Sequence, residues 1–286
     1  RPVTAAWAAT NIWTGTQDRD WFADGNWSLG ARPVDGEDVV ITNAAGNQVL
    51  LTNATPWLAS LAVSNSSLTC SNWATAVRAT NVALLNAARI TLPGPFLFTN
   101  SVMSNRVHIL CTNLLIESGG GLQADGKGYL VAEGPAKGNQ SGSNNNSGGG
   151  HGGRGGDEAG GVGGIECDST NAPATPGSGG GRWLSSPYPT TNGCGGGVVR
   201  IEADAVTVNG VITARGTTGE PYDGGGAGGA IHISCRAFAG TNGAIRADGG
   251  NGGIYYGGGG GGGGRIALDY VALAGDPTVC FSAAPG

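Results

Sequence analysis

Charge is scarce in this chain, and so are the residues that build helices. Only 12% of the 286 residues are charged, Lys occurs twice (Lys127, Lys137) and Met once. A nucleic-acid groove or a patch for anionic membranes needs clustered Lys and Arg, and a net charge of −5 with scattered Arg does not provide it. No apolar run approaches the roughly 18 residues that would span a bilayer as a helix. Short motifs are missing too. No G-x-x-x-x-G-K-[ST] phosphate loop, no G-x-S-x-G elbow and no C-x-x-C pair occurs, and three dispersed His (His108, His151, His232) do not suggest a metal site. What abounds is Gly, 57 residues of it. Each Gly inside a helix costs about 1 kcal/mol relative to Ala, which excludes a helical bundle. Collagen is excluded by the lack of a strict three-residue period and by only 13 Pro. Recurrent apolar segments and seven Trp do not fit a disordered chain. An all-β chain with Gly-rich connections is left, long enough for one large domain.

A repeat organises the chain. Val107-His-Ile-Leu-Cys, Val199-Arg-Ile-Glu-Ala, Ile231-His-Ile-Ser-Cys and Ile266-Ala-Leu-Asp-Tyr align without gaps. The first three are followed by a second matching element, at Leu122-Gln-Ala-Asp-Gly, Val211-Ile-Thr-Ala-Arg-Gly and Ala244-Ile-Arg-Ala-Asp-Gly. The last two steps are 32 and 35 residues, and the apolar triplets at Val39, Leu61, Val82 and Val107 keep steps of 21 to 25. Period-2 triplets at such spacing, with no helical pattern between them, predict a parallel solenoid whose rungs lie about 4.8 Å apart. Val107, Val199, Ile231 and Ile266 would then form one inward row, and Ile109, Ile201, Ile233 and Leu268 the next.

The expected organisation is one continuous domain in four parts. Residues 1–38 form a cap rich in Trp (Trp7, Trp13, Trp21, Trp27), 39–126 the first coils, 127–197 an insertion rich in Gly, Ser and Asn, and 198–286 the last coils and a tail. All three long Gly segments leave the coil at one corner, between the Ala-Asp-Gly or Ala-Arg-Gly element and the next strand. They are expected to pack together as extended, polyproline-II-like segments bonded through their backbones, where only Gly permits the close approach. Tyr129, Trp183, Tyr188, Tyr222, Tyr255 and Tyr256 punctuate these segments and are the candidate binding residues.

The six Cys are expected to form disulfides, as in an exported protein. Cys111 and Cys235 would sit two rungs apart, too far to bridge. Cys167 with Cys194 and Cys235 with Cys280 are the local pairings, which leaves Cys70 with Cys111. Asn26, Asn53, Asn65, Asn139 and Asn145 begin glycosylation sequons. The start at Arg1-Pro-Val suits a mature exported chain.

The run Gly-Gly-Val198-Val-Arg-Ile-Glu-Ala, with Val206-Thr-Val-Asn-Gly-Val-Ile-Thr-Ala-Arg-Gly and Gly224-Gly-Gly-Ala-Gly-Gly-Ala-Ile-His-Ile after it, resembles the Gly-rich repeats of exported proteins of the pectate-lyase-like β-helix superfold. Asn26-Trp-Ser through Val39-Val-Ile looks like the opening of bacterial surface and autotransporter-passenger repeats. The expected fold is therefore all-β, a single-stranded right-handed parallel β-helix with long Gly-rich loops on one corner. Such folds serve enzymes, adhesins and fibres alike. Gly150-His151-Gly152 matches a triplet of the polygalacturonase-like hydrolases, but the carboxylate motifs that should precede it are missing. Pectate-lyase-like enzymes set an Arg or Lys base beside calcium-binding Asp on outward strands. Arg200, Glu202, His232 and Asp269 are the nearest analogue, and this alternative would bring calcium as a cofactor. Asp125, Arg215 and Asp248 align as a charge-alternating row that fixes register. The leading expectation is an exported structural or adhesive protein at the cell surface, without cofactor or metal. It would self-associate, in a filament at the limit, or contact surface carbohydrate. A carbohydrate-binding module or a polysaccharide lyase or hydrolase is the alternative.

Overall fold

The computed structural model describes residues 9–42, 48–96, 103–140, 146–158, 160–183, 191–254 and 257–286. The N-terminal half supplies β1 (Asn11–Ile12), β2 (Asp38–Thr42), β3 (Val49–Leu51), β4 (Leu58–Ser64), β5 (Ser67–Cys70), β6 (Val77–Leu85) and β7 (Arg89–Thr91). Next come β8 (Val107–Ile116), β9 (Gly121–Gln123), β10 (Val198–Val208) and β11 (Val211–Thr213). The last four strands are β12 (Ala230–Ala239), β13 (Ala244–Arg246), β14 (Arg265–Leu273) and β15 (Cys280–Ser282). Among the described residues the only helical element is a 3-10 turn at Asp24–Asn26.

Two parallel sheets result. One has eight strands in the order β1-β2-β4-β6-β8-β10-β12-β14, the other seven in the order β15-β13-β11-β9-β7-β5-β3. This corrects the expected fold, because the described residues show two separate parallel sheets that do not curl and no right-handed β-helix. The reason is that the repeat determines which residues stack as parallel rungs. It carries no information about curvature or the hand of the path. Each repeat gives one longer strand to the first sheet and one of three or four residues to the second.

The rungs themselves follow the repeat. Val107 pairs with Val199, Val199 with Ile231 and Ile231 with Ile266, and Leu122, Ile212 and Ile245 align in the second sheet. These side chains form aliphatic ladders in one core, fully buried except at its last rung, where Ile266 and Leu268 are only partly covered. Each buried aliphatic contributes about 1.5–3 kcal/mol. Trp13, Trp21 and Trp27 close the core at the β1 end. Their rings meet edge to face, with centroids 5.1 Å apart for Trp13 and Trp27 and 4.8 Å for Trp21 and Trp27, and the Trp27 indole donates to the Trp21 carbonyl at 2.8 Å. Trp7 lies outside the described residues.

Asn26 knits this end together. Its side-chain oxygen accepts from the Gln17 and Asp18 amides at 2.9 and 3.0 Å, and its amide donates to Asp18 Oδ1 and the Asp20 carbonyl at 2.7 and 2.9 Å. It is fully buried, so a glycan has no room there in the folded chain. Asn53, Asn65 and Asn139 are exposed, and Asn145 lies outside the described residues.

Candidate functional site

The Gly-rich segments form a bundle of their own. Residues 124–197 lead from β9 to β10, 214–229 from β11 to β12 and 247–264 from β13 to β14, so all three connect the second sheet to the first. Within them the backbone hydrogen bonds recur every third residue. Gly224 and Ala227 donate to Gly181 and Ser178, Gly225 and Gly228 to Gly259 and Gly262, and Gly226 and Gly229 to Thr217 and Ala214, all at 2.7–3.0 Å. Gly149, Gly196 and Gly250 donate in turn to Gly225, Ala227 and Gly226. Residues 224–229 are thus ringed by six neighbouring segments.

A β-strand bonds to two sides with period two; a threefold extended helix has no internal hydrogen bonds and turns its N–H groups in three directions. Gly224–Gly229 and Gly258–Gly264 all keep negative φ, as that helix requires. A Cβ at Gly225 would run into the Gly250 carbonyl, and one at Gly228 into that of Ala247. The expected packing of extended, backbone-bonded Gly segments is what the structure contains.

Aromatic residues mark the turns of this bundle remote from the strands. Trp183 packs against Tyr222 of the 220–223 turn, with ring centroids 4.9 Å apart and the ring planes tilted by 47°. Both are half-buried. Asp223 is buried beneath them and accepts from the Trp183 amide at 2.8 Å. Burial pushes its carboxyl pKa up, against the pull of that N–H and of Arg182. Asn146 donates to the Tyr222 carbonyl at 2.6 Å, and Asn192 bonds Glu220 on the same turn. The structure therefore brings Trp183 and Tyr222 together. It does not place Tyr129 with them, because that residue is buried at 3% exposure with its ring 4.8 Å from Phe96. Tyr188, Tyr255 and Tyr256 lie outside the described residues. Asn146, Asn192, Glu220 and Asp223 carried no sequence signal, since only the fold brings their segments together.

The candidate catalytic residues fall into two hydrogen-bonded groups on the eight-stranded sheet. Glu202 Oε1 accepts from His108 Nε2 at 2.9 Å and Arg200 Nε at 2.8 Å, while His232 Nε2 lies 3.0 Å from Asp269 Oδ2. Burial pushes Glu202 up, but His108 and Arg200 outweigh it and hold its pKa below the usual carboxylate range. Burial pushes His108 down more than Glu202 pulls it up. At neutral pH this is an ionised carboxylate bonded by a neutral imidazole and a guanidinium. Asp125 and Arg215 pair at 2.9 Å, and the Arg215 amide donates to Asp125 at 2.7 Å. With Asp248, Thr218 and Asn251 they line a polar cleft of about 380 Å³.

His151 has a different partner from the one its Gly-flanked triplet suggests. It is fully buried, with Nε2 3.2 Å from both Asp168 Oδ2 and Thr175 Oγ1. Burial pushes Asp168 up, but hydrogen bonds from His151, Thr175, Ser169 and Ala174 prevail and hold it well below the usual carboxylate range.

None of the six cysteines is in a disulfide, so the pairings Cys167–Cys194, Cys235–Cys280 and Cys70–Cys111 are not formed. Cys70 lies on the seven-stranded sheet and Cys111 on the eight-stranded one, and Cys235 and Cys280 are likewise on different sheets. Cys111 and Cys235 are separated by the Ala203 rung, as expected. Burial pushes the Cys70 and Cys111 thiols up to about 12. Among the described residues no group of three or more His, Cys, Asp or Glu is placed to hold a metal, and no helix is long and apolar enough to cross a membrane. No family model, curated protein or solved structure matches the chain.

Proposed function

We propose that this chain is a non-enzymatic adhesive protein, exported to the cell surface, that contacts surface carbohydrate through the turns of its Gly-rich bundle. One observation carries the reading: Trp183 and Tyr222 pack against each other beside a bundle whose described Gly residues are bonded backbone to backbone. A flexible Gly loop loses much freedom when it binds, whereas a bundle bonded in this way has already lost it in folding. Aromatic faces suit the C–H faces of pyranose rings, and Glu220 and Asn192 beside them suit hydroxyls. Export is supported by the resemblance of the Gly-rich repeats to those of exported surface proteins.

The test is binding of the purified chain to a panel of polysaccharides that includes uronate-rich ones. Trp183→Ala and Tyr222→Ala are expected to weaken binding about tenfold each, as loss of a central aromatic contact does, with an unchanged circular dichroism spectrum. Trp57→Ala, at an exposed site on β4's approach, serves as the control that leaves binding intact. A chain that binds nothing on the panel, or Trp183 and Tyr222 variants that bind like the parent, would overturn the reading.

A further inference from the structure

The polar cleft beside Arg215 lies between two segments of the Gly bundle, 215–218 and 248–251. Backbone bonds tie these segments together: the Gly216 amide donates to the Asp248 carbonyl and the Gly219 amide to that of Asn251, both at 2.8 Å. The walls are thus fixed before anything enters, so little ordering is left for a ligand to bring about. The same two segments run on to the aromatic turn, where the Gly253 amide donates to the Asp223 carbonyl at 2.9 Å. Glu220 and Tyr222 therefore follow directly on the wall that bears Thr218.

Some of the groups lining the cleft are engaged and some are not. Asp125 is taken up by Arg215: Oδ1 accepts from the Arg215 amide at 2.7 Å, and Oδ2 from its Nε and Nη2 at 3.2 and 2.9 Å. The Thr217 hydroxyl accepts from the Cys194 amide at 2.8 Å. Asp248 uses one oxygen, which accepts from Ser282 Oγ and the Ala284 amide. Among the described residues the second Asp248 oxygen, the Thr218 hydroxyl and the Asn251 side-chain amide are bonded to nothing. Thr218 and Asn251 are exposed.

We propose that this cleft is a second carbohydrate subsite, continuing the Trp183 and Tyr222 contact along residues 215–222, and that it selects uncharged sugar chains against uronate chains. The proposal rests on the carbohydrate reading above and adds the class of sugar. A carboxylate acceptor, a hydroxyl and an amide that both donates and accepts suit neighbouring sugar hydroxyls, and the charged acceptor makes the stronger bond. Selection follows from charge. Asp125 and Asp248 against Arg215 leave the cleft with one net negative charge, and Glu220 adds another at the turn. A chain with a carboxylate on each sugar would be repelled by them, whereas an uncharged one meets only acceptors and donors.

The experiment measures binding of the purified chain to mannan, galactan and dextran as uncharged chains and to polygalacturonate as the acidic one, at one ionic strength. At least one uncharged chain is expected to bind more tightly than polygalacturonate. Thr218→Val and Asn251→Ala should each weaken that binding about fivefold, the worth of one hydrogen bond, with urea unfolding unchanged. Asp248→Asn keeps an oxygen for Ser282 and Ala284 but loses the charge. It should weaken binding of the uncharged chain and strengthen that of polygalacturonate, a change in ratio that a damaged fold does not produce. Polygalacturonate bound as tightly as the best uncharged chain, or an unchanged ratio in Asp248→Asn, overturns the selection. Thr218 and Asn251 variants that bind like the parent overturn the subsite, and Trp183→Ala measured beside them tells whether the aromatic reading falls with it. A chain that binds none of the four overturns both.

Discussion

Gly225 shows why a fifth of the chain has no side chain. Its amide donates to Gly259 at 2.9 Å, its carbonyl accepts from Gly149 at 3.0 Å, and a Cβ would collide with the Gly250 carbonyl. The obstacle is backbone, so an added methyl has no flexible neighbour to push aside. Gly225→Ala is expected to cost about 1–3 kcal/mol, the usual penalty of overpacking a filled site. Gly94 has open space where its Cβ would stand, and Gly94→Ala should change stability by no more than about 0.5 kcal/mol. Urea unfolding of both variants checks this. Equal stability of the two would mean that the bundle yields to a side chain and that its Gly content has another cause.

At the scale of elements, the segment around Asp168 is held by one carboxylate. Asp168 Oδ2 accepts from the Ala174 and Thr175 amides at 2.8 Å and meets buried His151 at 3.2 Å, with the Asp168 backbone at φ 70°. Its pKa is lower folded than unfolded, so its stabilisation is complete above the ordinary carboxylate pKa of about 3.9 and fades as the pH falls through the folded value. Asp168→Asn should therefore cost about 1–3 kcal/mol at neutral pH, and the gap from the parent should narrow as urea unfolding is repeated at pH values below 4. A gap that stays constant with pH would show that the carboxylate's charge has no part in it.

This clamp was not legible in the sequence. His151 and Asp168 are 17 residues apart with no periodicity between them, and a Gly-His-Gly triplet in a Gly-rich stretch carries little information. The rungs were legible, because Val107, Val199, Ile231 and Ile266 repeat without gaps and a parallel ladder converts that repetition into contact. So was the bundle, since three Gly segments occupy equivalent places between Ala-Asp-Gly or Ala-Arg-Gly and the next strand. The form of the sheets was not, as the same rungs suit flat or curled sheets. Of the proposed site, Trp183 and Tyr222 stood out as rare aromatics among Gly. Tyr129 stood out equally and is core, because its neighbour Phe96 belongs to a segment more than thirty residues away.

For the molecule as a whole, the question is whether the strand stack and the bundle fold as one body. Ala214, Ala230, Ala247 and Arg265 are bonded at their amides to Arg246, Gly197, Ser282 and Gly229, so the ladders of the sheets run directly into those of the bundle. Two buried thiols sit on either side of that border. Cys70 lies on β5 in the core, and Cys194 lies in the bundle, where burial raises its thiol to about 11. Neither thiol is expected to react with a disulfide reagent in the native chain, because both protonation and burial protect it, whereas exposed Cys280 should react at once. As denaturant rises, Cys70 and Cys194 should become reactive over the same interval if opening the bundle also breaks the ladders that continue it. Mapping the labelled residues by mass spectrometry at each concentration decides the matter. Labelling of Cys194 well before Cys70 would make the bundle a separate unit and remove the rigid support on which its aromatic turns depend.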